Sequence, residues 1–382
     1  MKLLHTADWH LGRQFEGYSL EADHAAVLDQ VFSAVVTQTP DALIIAGDVF
    51  DRAAPPESAV RQFNAFLKRV MSETETAIAV IGGNHDSGDR IGAWATLSDG
   101  RRSLVRGPLA ADEPPLILHD AHGPVAISGI PFGYEFAARE CFGNPEIRCP
   151  EDVVRAQLAA ARAFLPEGAR WVVVAHAFVS GGNTSGCERP LSRLAGGIET
   201  VSADVFAGVH YVALGHLHRP QSAEKDHIRY SGAPLAFTFE EENCAKSLSL
   251  VELAADGSAA IELIPVTPLR RVRTLRGALA EILALPPSED FIRPVLTDAA
   301  RRLEPMKRIR ERFPNACALS YARDLSTGER QGAPAGARGT ASPARVVSDF
   351  TMHVREQALS EAESGIVAQY LAELENPLDA AA

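Results

Sequence analysis

The chain's most constraining feature is a set of polar clusters, each placed directly after a short apolar run. Asp8-Trp9-His10 follows Leu3-Leu4, and Gly47-Asp48-Val49-Phe50-Asp51 follows Ala42-Leu43-Ile44-Ile45-Ala46. Gly83-Asn84-His85-Asp86 follows Ile78-Ala79-Val80-Ile81, and Gly215-His216-Leu217-His218 follows Tyr211-Val212-Ala213-Leu214. His176 behaves the same way after Trp171-Val172-Val173-Val174-Ala175. Apolar runs of this length bounded by glycine read as buried strands. Ligands of open sheets collect just beyond strand ends, so these clusters predict one site assembled from distant parts of the sequence.

At 382 residues with 46% hydrophobic side chains, the chain can form one large domain with smaller pieces and a sizeable core. A net charge of −12 argues against coating nucleic acid by bulk charge, while leaving room for a local basic groove. Cys141, Cys149, Cys187, Cys244 and Cys317 form no C-x-x-C pair. Neither a disulfide framework nor a thiolate zinc site is expected, and the thiols fit a reducing compartment. The first residues lack an apolar signal core, and no run approaches ~18 consecutive apolar residues. The expectation is a soluble cytoplasmic protein without membrane contact. No G-x-x-x-x-G-K-[ST] is present, so nucleotide-driven work would need another chain.

Strand-like runs alternate with helical periodicity over residues 1–267, the pattern of a layered α/β domain. Helices are expected over 20–38, from Pro55-Pro56 onward, and over 151–165. Strands at 124–130, 171–175, 211–214, 228–230 and 247–253 suggest two packed sheets flanked by helices. Residues 268–325 then read as a small α+β unit, with helices at 276–285 and 299–313 and strands at 292–297 and 316–322. Its second helix carries Arg301, Arg302, Lys307, Arg308, Arg310 and Arg312. Such runs ordinarily form a solvated face; the sharper reading makes Arg301, Arg308 and Arg312 phosphate contacts. Residues 326–348 are rich in Gly, Ala and Pro and read as a flexible linker. Residues 349–376 turn helical again, with a capping box at Ser360–Glu363 ahead of Ile366, Tyr370 and Leu374. That stripe needs a surface to cover it, in this chain or in a partner.

Carboxylate, imidazole and amide oxygen donors suit Mn²⁺ or a similar divalent ion better than a thiolate-seeking one. Alternation along an extended segment puts Asp8 and His10 on one side, and His216 and His218 repeat the spacing. Asp48 is the natural bridge. The assignment is Asp8, His10, Asp48 and His218 to one ion, and Asp48, Asn84, His176 and His216 to the other. Two such ions can activate water against a phosphoester. His85, beside a ligand but not one itself, is the candidate proton donor to the leaving group, with Asp51 to orient it. Each motif alone is weak, since a Gly-Asn-His-Asp can be an ordinary turn. The four in combination are hard to obtain from packing.

Taken together, these motifs resemble the calcineurin-like metallophosphoesterases. His5-Thr6-Ala7-Asp8-Trp9-His10-Leu11-Gly12, Gly82-Gly83-Asn84-His85-Asp86-Ser87 and Cys187-Glu188-Arg189 are similar to the DNA nucleases among them, as are Gly215-His216-Leu217-His218-Arg219-Pro220 and Tyr230-Ser231-Gly232-Ala233-Pro234. The resemblance covers roughly residues 1–265. It implies a four-layer αββα fold with a DNA-capping domain and a C-terminal helical tail. It also implies a manganese-dependent enzyme of DNA repair, recombination and replication, with 3′→5′ exonuclease action on duplex ends and endonuclease action on hairpins or blocked ends. Expected partners are DNA, a second copy of the chain, and an SbcC-like coiled-coil ATPase docked on 349–376 in a heterotetramer. Rival expectations are a phosphoesterase acting on small nucleotides or phosphoproteins, and an inactive scaffold.

Overall fold

A computed structural model describes residues 1–97, 100–184, 188, 200–324, 343–355 and 358–375. The chain forms two compact units, Met1–Leu319 and Ser320–Ala382.

The first unit is built on two six-stranded sheets. One uses β1 (Lys2–Thr6), β2 (Ala42–Ile45), β3 (Ala77–Ile81) and β4 (Ser103–Arg106), with β11 (Ser247–Leu253) and β12 (Ala259–Pro265), in the order β12-β11-β1-β2-β3-β4. The other uses β5 (Leu116–Asp120), β6 (Gly123–Ile130), β7 (Arg170–His176), β8 (Tyr211–Gly215), β9 (Gln221–Ala223) and β10 (Lys225–Tyr230), in the order β9-β10-β8-β7-β6-β5.

Successive strand residues face opposite ways, and the core divides accordingly. Ala42 and Ile44 join Val172, Val174 and Ala213 in a cluster between the sheets. Leu43 and Ile45 turn the other way, into a cluster with Val27 and Val31 of α1 (Glu21–Gln38) and Phe63 and Phe66 of α2 (Glu57–Glu73). Trp171 and Val173 face Val154 and Leu158 of α3 (Pro150–Arg162). This is the helix–sheet–sheet–helix sandwich that the strand pattern suggested.

Pairing within each sheet decides where the polar clusters meet. β1, β2 and β3 run parallel, as do β6, β7, β8 and β10. Their C-terminal ends therefore reach one edge of each sheet, and the edges touch: a Cβ added at Gly215 would stand 1.9 Å from the Ala46 carbonyl oxygen.

The small C-terminal part of this unit departs from expectation. Residues 272–277, partly read as helix, form a strand parallel to Phe291–Leu296, and the helix is confined to Leu279–Ala284. The expected helix over 299–313 is restricted to Pro305–Arg310. Glu304 takes a left-handed φ of 42° just before Pro305, which lacks an N–H, so a helix starts there and not before. Several of its cations serve the fold. Arg302 pairs with Asp298, Arg310 donates to the Ala316 carbonyl, and Arg312 donates to the Leu285 carbonyl at 2.8 Å. Arg308 is exposed.

In the second unit, helices span Pro343–Arg355 and Glu361–Glu375. The first begins inside the stretch read as linker, where Arg345 and Asp349 pair across one turn. The Ser360 hydroxyl accepts from the Glu363 N–H at 3.3 Å while the Glu363 carboxylate accepts from the Ser360 N–H at 2.9 Å, closing the capping box. The rest of the linker, 325–342, lies outside the described residues, as do Cys187 and Arg189. Cys141, Cys149, Cys244 and Cys317 are free thiols. Among the described residues no helix is long and apolar enough to cross a membrane.

Candidate metal centre

Beyond their last paired residues, β1 and β2 stay zipped together. The Asp8 N–H donates to the Gly47 carbonyl, His10 N–H to that of Asp48 and Leu11 N–H to that of Val49, at 2.9–3.0 Å. To keep this ladder while turning side chains to the sheet edge, the backbone takes left-handed φ values at Asp8 (55°), His10 (46°) and Asp48 (49°). His216 follows at 109°. Such conformations cost on the order of 1–3 kcal/mol each in non-glycine residues and persist only where the surroundings impose them. Four in one edge mark a place built for something other than stability. At Gly83 a Cβ would fall 2.2 Å from the Asp48 carboxylate, so only glycine lets the third loop close on the second.

The main chain then clamps each acid. Asp8 accepts from the His216 N–H with both oxygens, at 2.9 and 3.0 Å. Asp48 Oδ1 accepts from the His85 N–H at 2.8 Å, and its Oδ2 faces His10 Nε2 at 3.7 Å and His176 Nε2 at 3.6 Å. His176 Nδ1–H donates to the Ala46 carbonyl at 2.9 Å, leaving a lone pair on Nε2, 2.9 Å from Asn84 Oδ1. His218 Nδ1 lies 3.4 Å from Glu241 Oε1, and its Nε2 lies 3.2 Å from His10 Nε2. A carboxylate beside one imidazole nitrogen holds the proton there and leaves the other as a ligand atom.

Ligand atoms of Asp8, His10 and His218 lie within 4.8 Å of one another, as do those of Asp8, Asp48 and His176. Asp8, His10, Asp48, His176, His216 and His218 are all buried. Burial, then Asp48, raises Asp8 well above the ordinary carboxylate range. Burial, then the His218 charge, pushes His10 well below the usual imidazole range; His216 and His176 are lowered by burial first as well. Without a cation, such a pocket favours protonated acids and neutral imidazoles. A cation reverses the penalty on the acids and uses the imidazole lone pairs. The paired lone-pair atoms, His10 against His218 and His176 against Asn84, fit divalent metal, and the oxygen and nitrogen donors suit a manganese-like ion.

The eight residues expected from the clusters, with Asp51, therefore fall around one point. His216 meets the others by its ring, 5.5 Å from that of His176 between centroids. His85 stands at the rim, half-buried, its ring 4.7 Å from that of His10. Its Nδ1–H donates to the main-chain carbonyl of Asp51 at 2.8 Å. The Asp51 carboxylate instead pairs with Arg13 at 3.1 Å and lies 3.9 Å from His10 Nδ1. Asp51 thus holds His85 through its backbone, where the sequence pointed to a carboxylate. Arg301, Arg308 and Arg312 belong to the small C-terminal part and not to this cluster.

Three residues escaped the sequence reading. Asp86 accepts from the N–H groups of Val49, Phe50 and Gly83, tying two loops together. Burial and Asp48 raise it to about 7 against those bonds. Glu241 is buried, paired with buried Lys246, whose Nζ also donates to the His218 carbonyl at 3.1 Å. Glu188 accepts from the His218 N–H at 3.2 Å. Asp86 and Glu188 stood inside quoted motifs; nothing in the sequence singled out Glu241.

Known proteins carry the same signature. Residues 1–220 match the calcineurin-like phosphoesterase family. SbcD of Staphylococcus saprophyticus, one component of the SbcCD nuclease, is 30% identical over 329 residues, which span 84% of this chain and 84% of that one. Shared family, sandwich fold and buried acid–imidazole centre agree: this chain belongs to the calcineurin-like phosphoesterases, in the branch of the SbcD nucleases.

Proposed function

We propose that the chain is a manganese-dependent DNA nuclease that hydrolyses phosphodiester bonds at the strand-end centre. The carrying observation is Asp48, whose carboxylate stands between His10 and His176 and so between two sets of ligand atoms. Asp8, His10, Asp48 and His218 would hold one ion, and Asp48, Asn84, His176 and His216 the other. Two bound ions would supply Lewis-acid stabilisation of phosphoryl charge and of the attacking water. The protein's own contribution is placement and proton transfer. His85, fixed at Nδ1 by the Asp51 carbonyl, presents Nε2 to protonate the departing oxygen. Glu241 orients His218 from behind.

The relative from Staphylococcus saprophyticus is a component of SbcCD, which supports 3′→5′ exonuclease action on duplex ends, endonuclease action on hairpins or blocked ends, and work with an SbcC-like ATPase in DNA repair. A homodimer within a heterotetramer completes that reading. Residues 268–325 would cap DNA with Arg301 and Arg308 as contacts, and the helices within 349–376 would dock on the ATPase's coiled coil. The test is cleavage of labelled duplex and hairpin DNA with Mn²⁺ or Mg²⁺, with and without a coexpressed SbcC-like chain and ATP. Hydrolysis confined to small nucleotides or phosphopeptides would replace DNA as the substrate.

A further inference from the structure

On the His85 side the centre opens into a cavity of about 540 Å³, within the ~300–1,000 Å³ range of pockets that take small molecules. Asn84 and His85 form the wall nearest the metal ligands, and Leu109, Phe132 and Tyr134 line it as well. Arg52, which is exposed, adds a cation to the lining. Tyr134 is fixed by two neighbours: Phe132 meets it edge-on at 5.0 Å, and Phe136 stacks on it at 5.6 Å with 12° between planes. It nevertheless stays 36% exposed, and Phe136 65%. Exposed rings held rigidly beside a polar centre are the informative case for binding, unlike a lone surface leucine.

The metal ligands themselves are buried, with Asp8 and His10 fully so. A phosphodiester can reach them only if its strand leaves the duplex surface, which unstacks the neighbouring base. An unstacked base is stabilised by an aromatic platform, without regard to its identity, because every base has a π-face.

We propose that this cavity is a nucleobase subsite. It takes the base flanking the scissile phosphodiester against Tyr134 and Phe132, with Arg52 toward the adjoining phosphate. The inference rests on the nuclease reading above and adds to it how the strand is held: by stacking, with little sequence preference.

The test uses the full-length chain with Mn²⁺ and measures kcat/KM for the first cut. Substrates are a labelled duplex and the same duplex carrying one abasic residue at each position flanking the cleaved bond. For the unaltered protein, loss of the base at one flanking position should lower kcat/KM roughly tenfold, the size of one base–aromatic stack. Tyr134→Ala should lose a similar factor on intact duplex and be indifferent to the abasic residue at that position. Tyr134→Phe should keep both rate and sensitivity. Equal rates of the unaltered protein on every abasic duplex would overturn the subsite with no variant needed. So would a Tyr134→Ala chain that keeps full base sensitivity. Hydrolysis of bis(p-nitrophenyl) phosphate without any cleavage of DNA would remove the nuclease reading and the subsite with it. DNA cleavage without base sensitivity removes the subsite alone.

Discussion

The strand-end centre and the tail helices break the same rule in opposite directions. In the centre, acids and imidazoles are taken out of water: Asp8, His10, Asp48, His176, His216 and His218 are all buried. In the tail, Val346, Phe350, Met352, Ile366 and Tyr370 each expose more than half their surface to water. Burying a charged group without a partner is costly, and an exposed apolar stripe forgoes burial worth about 25 cal/mol per Å². Each region therefore points to what completes it. Buried acids facing lone-pair nitrogens call for cations, and an apolar stripe on helices calls for an apolar surface. The centre is closed by the chain's own backbone, through the His216, His85 and Ala46 main-chain groups. Nothing comparable holds the stripe among the described residues.

The largest effect should come from Asp48→Ala. It removes the one carboxylate that faces both His10 and His176, so both sets of ligand atoms lose a member at once. Loss of Mn²⁺ binding by calorimetry and of detectable cleavage is expected. Retention of two bound ions would show that Asp48 is no bridge. His85→Ala comes next. Its ring touches the centre only at the rim, so metal binding should persist while cleavage falls by about 10²–10⁴, the usual worth of a general acid. Loss of metal in this variant would move His85 from proton donor to ligand. Together the two variants separate what the centre binds from what it does.

Why was the centre so legible and its support less so? Strand ends are readable because the apolar run, the glycine and the polar residue lie side by side in sequence, as in Ala46-Gly47-Asp48. Supports act through space and through backbone. Asp51 holds His85 by a carbonyl that any residue owns, and Glu241 reaches His218 across a fold that brings together residues 23 positions apart. Beyond residue 268 the reading weakened for a different reason. Val272 and Leu275 are the buried members of β-strand Val272–Gly277, a spacing of three that suits a helix equally well. In 299–313 the many cations suggested one exposed helix, but Arg302, Arg310 and Arg312 are bound to Asp298 and to the Ala316 and Leu285 carbonyls. Fold contacts, not solvent, use them.

Glu241→Gln tests whether the centre's order comes from behind as well as from its ligands. The amide keeps the shape but weakens the hold on His218 Nδ1, and Mn²⁺ affinity should fall about 10–100-fold, the usual cost of losing such a partner. Because Glu241 also neutralises buried Lys246, Lys246→Met in the same background separates the two roles. If affinity returns with Lys246 gone, the acid serves the lysine; if it stays low, the acid serves the imidazole.

The smallest effect on chemistry should come from the tail, and it decides whether the comparison holds. Phe350→Asp with Tyr370→Asp places charge on the exposed stripe without removing any group that holds the helices together. The Ser360–Glu363 capping box and the Arg345–Asp349 pair stay in place. Cleavage of simple DNA ends by the chain alone should be unchanged, and circular dichroism should keep its helical signal. Capture of an SbcC-like coiled coil should be lost, because a carboxylate on an apolar interface must be desolvated without a partner. Undiminished capture would mean that the stripe is not the docking face. Slower cleavage without the partner would mean that the tail reaches the centre's work directly, and the division between a region completed by cations and a region completed by protein would fail.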